Sequence, residues 1–276
     1  MMKLIKLYYQ LISILSPKFA AKSAFELFKT VRKKDIRPRE MPFYEQAKKY
    51  ELQFENENLH VYEFGDSKND TVILVHGWDS NAGSLFKFIE PLLEKNKHII
   101  CLNLPAHAHY KSSKTTLVEC KNAIKTLIES LPNHHTISII SHSFGSAVTG
   151  YALGELGISV NNLFFLTSPN KIVKVFTEFK AVIGLGNKAY NYLITMTNNV
   201  LKESVDGLVI HTKLKQASFN HLYLFHDTND KVISIKNSQE INDNISNSSL
   251  KSYKNIGHYR MLWNNELIND VVSLVN

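Results

Sequence analysis

The sequence predicts an α/β protein whose mostly parallel central sheet is covered by helices on both faces. From residue 71 onward, short apolar runs of strand length alternate with segments of helical apolar spacing. This alternation is typical of the right-handed crossovers that join parallel strands. With 276 residues, 44% of them hydrophobic, the chain is long enough to bury the core of one large domain.

Residues 1–49 form the first predicted region, a basic amphipathic helical arm at the N-terminus. They hold 12 Lys and Arg against 4 Asp and Glu, a net charge of +8, whereas the remaining residues sum to −1. A second helix is predicted over residues 20–30, after a break near Pro17, and a basic cluster follows over residues 32–39. One stripe of the first helix is apolar and consists of Leu4, Leu7, Tyr8, Leu11, Ile14 and Leu15.

Two interpretations of the arm stay open on the sequence. Either the apolar stripe packs on the rest of the domain, or it lies at an anionic membrane surface that attracts the basic residues of segment 1–39. A secretory signal is disfavoured because Gln10 and Ser13 interrupt the apolar stretch. The predicted location is therefore the cytoplasm, either free or peripheral on the inner membrane surface.

The second predicted region, residues 50–276, opens with an antiparallel hairpin that pairs residues 50–54 with 60–64. Later strands are predicted over residues 71–75, 98–104, 136–140, 162–166, 221–226 and 250–253, and helices over 84–94, 117–130, 146–152 and 264–275. Residues 170–220 have helical spacing and no strand signal. They predict a helical cap over the carboxyl edge of the sheet, where ligands bind in such folds.

The apolar residues of the predicted cap have two interpretations. They line an apolar acyl pocket, or they attach the cap to the core. These residues are Phe176, Phe179, Ile183, Leu185, Tyr190, Tyr192, Leu193 and Met196.

Ser143 stands where a buried strand gives way to a run of small residues, in the segment Ser141-His142-Ser143-Phe144-Gly145. A sharp strand-to-helix turn holds a serine hydroxyl clear of the backbone, with helix N-terminal amides nearby for an anion. The segment is close to the G-x-S-x-G pattern, with Ser141 in place of the first glycine. It predicts that Ser143 is a covalent nucleophile.

Three further segments follow other predicted strands: His76-Gly77-Trp78, residues 227–230, and Gly257-His258. Loops after parallel strands meet at one edge of a sheet. The order Ser, acid, His is that of α/β-hydrolases, and residues 50–276 resemble this superfamily. Residues 103–110 (NLPAHAHY) look like its D-L-P-G-H-G-x-S loop with the acid and both glycines replaced, and residues 226–232 (HDTNDKV) look like its H-G-x-x-D-x-x-V loop.

The resemblance implies a role for each site residue. Ser143 is the nucleophile and His258 the general base, while Asp230, with Asp227 as the alternative, is the acid that orients the imidazole. The backbone amides of Trp78 and Phe144 would form the oxyanion hole. A serine at this position excludes the relatives that use aspartate and form an alkyl ester.

The function predicted from these residues is a serine hydrolase that cleaves a carboxylic ester or thioester through an acyl-enzyme on Ser143. One alternative is a carbon–carbon bond hydrolase or an acyltransferase with the same triad, and another is a non-catalytic binding protein on a hydrolase scaffold. The expected partner is a small-molecule ester, whose acyl group is apolar if the cap residues line a pocket and is left open if they only attach the cap. Nucleic acid is not expected, because the near-neutral body has no basic groove.

No cofactor or metal is expected. His107 and His109, and the pair His134-His135, have no Cys or carboxylate cluster beside them. Cys101 lies in a strand-like apolar run and Cys120 in a helix-like one, so both are predicted to fill the core in a reducing compartment.

Overall fold

A computed structural model describes residues 2–32, 35–55, 57–132 and 136–276. Lys33 and Lys34 of the basic cluster, Asn56 of the hairpin turn and the His134-His135 pair lie outside the described residues.

The described residues form one eight-stranded sheet. Its strands are β1 (Lys48–Leu52), β2 (Leu59–Phe64), β3 (Thr71–Val75), β4 (His98–Leu102), β5 (Ile137–His142), β6 (Ser159–Leu166), β7 (Ser218–Asp227) and β8 (Ser248–Tyr253). They lie in the order β1-β2-β4-β3-β5-β6-β7-β8. The strand β2 is antiparallel to β1 and β4, and the other pairs are parallel. The predicted, mostly parallel sheet is therefore confirmed.

The α-helices of the described residues occupy the arm, the crossovers and the segment between β6 and β7. They are α1 (Met2–Leu15), α2 (Pro17–Lys29), α3 (Met41–Gln46), α4 (Ile89–Glu94), α5 (Leu117–Glu129), α6 (Phe144–Leu156), α7 (Ile172–Ile183), α8 (Asn187–Leu201), α9 (Ile210–Leu214), α10 (Lys236–Asn244) and α11 (Asn265–Ser273). Short 3₁₀ helices cover Pro38–Glu40, Ala82–Phe88 and Arg260–Trp263.

The central strands are buried on both faces, which explains why they read as continuous apolar runs. In β3, Ile73 and Val75 belong to the core on one face, which α5 and α6 complete. Val72 and Leu74 belong to the core on the other face, which α4 and α11 complete. Successive side chains of a strand point to opposite faces, so one apolar strand supplies both cores.

Three local differences from the sequence prediction have physical causes. The helix expected over residues 84–94 is divided into a 3₁₀ part, Ala82–Phe88, and α4. The helix α2 begins at Pro17, because proline fits the first helical position, where no N–H is needed. The helix α10 was not predicted, because it buries only Ser238 and Ile241 and has no apolar period.

The arm packs on the helices between β6 and β7. In α1, Tyr9 Oη lies 3.0 Å from Ser23 Oγ of α2, and Ser13 Oγ accepts a hydrogen bond of 3.0 Å from the Gly186 amide. In α2, the ring of Phe28 stacks on Phe176 of α7 at 4.2 Å. The contacts of α1 are made by the face opposite the apolar stripe, and the stripe itself faces outward. Packing of that stripe on the domain is therefore not what the structure shows.

No helix within the described residues combines the length and the apolar character needed to cross a bilayer.

Candidate active site

Ser143 lies in a strained turn between β5 and α6. Its backbone has φ 55° and ψ −120°, a conformation that costs a non-glycine residue about 1–3 kcal/mol. Two hydrogen bonds hold the turn: the Ser143 amide donates to Leu166 O at 2.8 Å, and the Ser146 amide donates to Ser143 O at 2.9 Å. The strain is thus balanced by bonds to the neighbouring strand and to the first turn of α6.

Gly145 permits the close approach of this turn to β3. A Cβ on this residue would lie 2.5 Å from the carbonyl oxygen of His76 and 2.7 Å from that of Val75. Real side chains essentially never approach backbone oxygen that closely. The second glycine of the motif is therefore required by packing.

Ser141, which replaces the first glycine of the motif, is accommodated without strain. Its side chain is completely buried at the end of β5, and its backbone does not have a positive φ. Its Oγ lies 3.3 Å from Ser146 Oγ, which donates to Ser141 O at 3.0 Å. The hydroxyl that the motif does not expect thus has a partner.

A chain of hydrogen bonds joins the three residues that the motif order singled out. Nε2 of His258 lies 3.0 Å from Ser143 Oγ, and Nδ1 lies 2.7 Å from Asp230 Oδ2. Since a carboxylate only accepts hydrogen bonds, Nδ1 carries the proton and Nε2 is free to accept one from the serine. This arrangement matches that of nucleophile, base and orienting acid.

Asp230 is held in its ionised form although it is buried. Burial opposes ionisation, but the hydrogen bond and charge of His258, together with the amides of Ile233 and Val232, outweigh it and lower the pKa of Asp230. The two amides bind Oδ1 at 3.0 and 2.7 Å. One carboxylate oxygen therefore fixes the loop, and the other fixes the imidazole.

Asp227, the alternative acid, has a different set of partners. Its Oδ1 accepts hydrogen bonds from the amides of Asn229 at 2.8 Å and Asn255 at 3.2 Å, and its Oδ2 accepts one from the amide of Gly257. Within the described residues it makes no hydrogen bond to the imidazole of His258. Asp227 instead ties the loop after β7 to the loop that carries His258.

Two other histidines brace these loops in neutral form. Burial lowers the pKa of His226, whose Nδ1 lies 2.7 Å from Ser238 Oγ and whose Nε2 lies 2.8 Å from Ile233 O. Burial, then the nearby His258, lowers the pKa of His142 to about 3, and its Nε2 lies 3.0 Å from His258 O. Sequence reasoning missed Ser238, because a polar helix gave no signal there.

The amides of Trp78 and Phe144 are available to a ligand. Neither donates a hydrogen bond within the described part of the chain. The two rings contact edge to face at 5.1 Å. Behind them His76 fixes the Trp78 loop: its Nδ1 lies 2.8 Å from Gly77 O, and its Nε2 accepts the Leu104 amide at 2.9 Å.

The loop of residues 103–110 has alanines where the family pattern has glycines. Ala106 and Ala108 adopt φ values of 68° and 48°, the region that favours glycine. Asn103, in place of the acid, accepts the Ala82 amide at 2.9 Å and donates to Tyr62 Oη at 3.1 Å. Alanine thus stands in left-handed backbone at both positions, at a cost in strain.

The two histidines of this loop contact different parts of the protein. The ring of His107 is buried against His76 at 5.0 Å and Trp78 at 5.3 Å, whereas the ring of His109 packs on Tyr44 at 5.3 Å. Each of the two rings thus packs against aromatic side chains of the fold.

The arm reaches the site through Arg32, a contact that no local pattern in the sequence indicates. The Arg32 amide donates to Asp79 Oδ1 at 2.8 Å, and Nη2 lies 3.2 Å from Oδ2. Asp79 directly follows Trp78. The segment of the arm that follows α2 therefore lies beside the predicted oxyanion hole.

A cavity of about 580 Å³ lies elsewhere, at the amino ends of the strands. Thr71 and His98, which open β3 and β4, help to line it. The carboxylate of Glu63 in its wall is occupied by His98 at 2.9 Å and Lys48 at 2.9 Å. The hydroxyl of Thr71 lies 3.0 Å from Nδ1 of the same histidine. Thr71 is buried in regular strand backbone, however, and no turn presents its hydroxyl to a ligand, so the triad edge remains the candidate active site.

A family model described as "alpha/beta hydrolase fold" matches residues 70–183. This stretch includes β3, α6 and the turn at Ser143 (the elbow). The chain has the α/β-hydrolase fold. The predicted resemblance to that superfamily is confirmed, and the match supports the predicted class, a hydrolase.

Solved structures share this fold at low sequence identity. The thioesterase domain from the curacin biosynthetic pathway is 11% identical with a TM-score of 0.61, over 83% of this chain and 98% of that one. The Pyrococcus furiosus esterase Pf2001 is 19% identical with a TM-score of 0.60, over 88% and 92%. A bacterial membrane phospholipase A is 14% identical with a TM-score of 0.61, over 99% and 98%. No protein of curated function matches the sequence.

Proposed function

We propose that the chain is a serine hydrolase that cleaves a carboxylic ester or thioester through an acyl-enzyme on Ser143. The observation that carries the proposal is the unbroken hydrogen-bonded chain from Ser143 Oγ through His258 to Asp230. The strained backbone of Ser143 presents the hydroxyl to a ligand, as the nucleophile elbow does.

In the first half of the reaction, Ser143 Oγ attacks the carbonyl carbon and its proton moves to His258 Nε2. Asp230 stabilises the imidazolium without taking the proton. The carbonyl oxygen becomes an oxyanion that accepts hydrogen bonds from the amides of Trp78 and Phe144. When the bond to the leaving alcohol or thiol breaks, that group takes the proton from Nε2 and leaves an acyl ester on Ser143.

In the second half, water replaces the leaving group. Nε2 of His258 takes a proton from the water as its oxygen attacks the acyl carbon. The same two amides bind the second oxyanion. Collapse releases the carboxylic acid, and the proton on Nε2 returns to Ser143 Oγ, which restores the starting state.

The helices α7, α8 and α9 are proposed as the cap, because they lie between β6 and β7 at the carboxyl edge of the sheet. Most of their apolar residues are engaged in packing: Phe176, Ile183, Leu185 and Leu193 are buried, and Phe28 of α2 contacts the rings of Phe176 and Phe179. This favours attachment of the cap over an acyl pocket made of these side chains. The acyl group is instead proposed to contact the rings of Trp78 and Phe144.

Two neighbours suggest lipid-like or thioester substrates. One is called a thioesterase domain and the other a membrane phospholipase A, and the latter covers 99% of this chain, arm included. Substrates with a long acyl chain are therefore proposed first for assay, as oxygen esters and as thioesters. Release of acid and alcohol supports hydrolysis, whereas transfer of the acyl group to an added alcohol would favour the acyltransferase alternative.

The proposal is tested by labelling with a fluorophosphonate, which phosphonylates activated serines. The native chain should be labelled, and Ser143→Ala and His258→Ala should not be. Ser146→Ala, which removes the nearest helix serine, should still be labelled. If the native, folded protein stays unlabelled, the nucleophile claim is lost and the binding-protein alternative gains support.

A further inference from the structure

The helix α1 has two opposite faces, one packed on the domain and the other exposed. The inward face consists of Ile5, Tyr9, Ile12 and Ser13, of which Tyr9 and Ser13 are buried. The outward face is the apolar stripe of Leu4, Leu7, Tyr8, Leu11, Ile14 and Leu15. Its exposure is 72% at Leu4, 54% at Leu11, 80% at Ile14 and 79% at Leu15. Both faces are apolar, and the fold uses only one of them.

Further exposed apolar residues lie in the neighbouring helices α2 and α7. Phe19, in the first turn of α2, is 54% exposed, and Val182 of α7 is exposed close to the point where Gly184 meets Lys6 and Gln10 of α1. Contiguous exposed apolar surface of this kind marks an interaction site for another protein or a membrane.

The charged residues of α1 and of the first half of α2 are all basic. Residues 1–25 include Lys3, Lys6, Lys18 and Lys22 and contain no Asp or Glu. On the wheel of α1, Lys3 and Lys6 border the stripe on one side. Lys18 Nζ lies 5.6 Å from the ring centre of Tyr192, a half-exposed aromatic residue of α8. Aromatic and basic residues around an apolar face are typical of helices that lie in a membrane interface.

We infer that α1 binds the surface of an anionic lipid bilayer, with the stripe in the headgroup and acyl boundary and the lysines on the lipid phosphates. A second copy of the chain fits the same surface less well, because residues 1–25 supply no carboxylate with which the lysines of the other copy could pair. Anionic lipid instead complements these charges.

The contact would reach the candidate active site through the arm. The chain leaves α2 and pairs Thr30 with Lys114, and Arg32 then binds Asp79 beside Trp78. A bilayer bound to α1 would thus be connected to the candidate active site by one continuous segment of chain, from α1 through α2 to Arg32. The inference does not rest on the proposed catalysis, and Ser143→Ala should bind vesicles as well as the native chain.

The test is flotation of the full chain with phosphatidylcholine vesicles that contain or lack about 30% phosphatidylglycerol. We expect the native chain to float with the anionic vesicles and to dissociate as salt rises. Leu7→Gln with Leu11→Gln should weaken binding by about tenfold or more, since two side chains lose their apolar burial. Lys3→Gln with Lys6→Gln should weaken it by about tenfold on anionic vesicles only.

Matched controls keep the test specific. Leu93→Gln removes a partly exposed leucine of α4, and Lys68→Gln with Lys236→Gln removes the same charge from outside the arm; both should float as the native chain does. Unfolding temperature should be unchanged for all variants. Failure of the native chain to float, equal binding to neutral vesicles, or a change from dimer to monomer in Leu7→Gln with Leu11→Gln without loss of flotation would overturn the inference.

Discussion

The elbow and the loop of residues 103–110 both lack glycines that the family pattern has, yet they absorb the change differently. Ser141 sits in regular strand backbone, and its hydroxyl has a hydrogen-bond partner. Ala106 and Ala108 have positive φ values, so each carries strain. A missing glycine is therefore harmless where the pattern needed only a small side chain, and costly where it needed left-handed backbone.

Gly145→Ala should produce the largest effect, because the new Cβ would meet two backbone oxygens at 2.5 and 2.7 Å. We expect a loss of about 3 kcal/mol in unfolding free energy, with loss of fluorophosphonate labelling. Urea denaturation measures the first. The control is Gly157→Ala: this residue has φ 65° but nothing within 4 Å, so strain alone should cost about 1 kcal/mol. Equal losses of unfolding free energy in the two variants would show that the backbone oxygens near Gly145 can move to admit a methyl group.

His142 should make the elbow sensitive to acid. Its pKa falls from 6.5 in the unfolded chain to about 3 in the fold, so its contribution to stability is complete above pH 6.5 and is lost as pH falls towards 3. In His142→Gln, which keeps a donor for His258 O, the slope of unfolding free energy between pH 6 and 4 should decrease by about 1.4 kcal/mol per pH unit. Urea titrations at several pH values measure it. An unchanged slope would mean that His142 is not buried in neutral form; other buried histidines keep the slope above zero.

Ala106→Gly and Ala108→Gly measure the strain of the second loop. Each substitution should relieve left-handed strain of about 1–2 kcal/mol. It also removes a buried methyl group and gives the unfolded chain more conformational freedom, and both of these effects destabilise the fold. Because the effects nearly cancel, the unfolding free energy should change by less than about 0.5 kcal/mol. Ala123→Gly, in the buried part of α5, has no strain to release and should lose about 2 kcal/mol. If all three lose the same amount, the two alanines are unstrained.

Ser141→Gly should have the smallest effect on labelling, because it restores the family residue at an unstrained position. The loss of one weak hydrogen bond and of strand stiffness predicts a destabilisation below about 1 kcal/mol. Labelling of Ser143 should keep its native rate. A large loss of labelling would show that the Ser141 hydroxyl takes part in holding the elbow in its active shape.

Much of this architecture could be predicted from the sequence, because apolar runs reveal strands that are buried on both faces. The strand β3 covers the residues predicted for it, 71–75. The order of the motif residues predicted that Ser143 and His258 lie at one edge of the sheet, and their side chains are in hydrogen-bond contact there. Which face of α1 packs on the domain could not be predicted. Periodicity shows that a helix has an apolar stripe, but it does not show which neighbour, if any, covers that stripe. The motif position favoured Asp230 over Asp227 as the acid, and the folded loop shows that Asp230 faces the imidazole.

The central claim, that Ser143, His258 and Asp230 work as one unit, is tested most directly by the rate of fluorophosphonate labelling in Asp230→Asn and Asp227→Asn. Asp230→Asn should react about 10⁴-fold more slowly, because the imidazole loses the partner that fixes its tautomer. Asp227→Asn should lower the unfolding free energy, because the carboxylate that accepts hydrogen bonds from three backbone amides becomes a neutral amide with one acceptor oxygen. Its rate of labelling should stay within about tenfold of the native rate. A larger loss in Asp227→Asn than in Asp230→Asn would contradict the account.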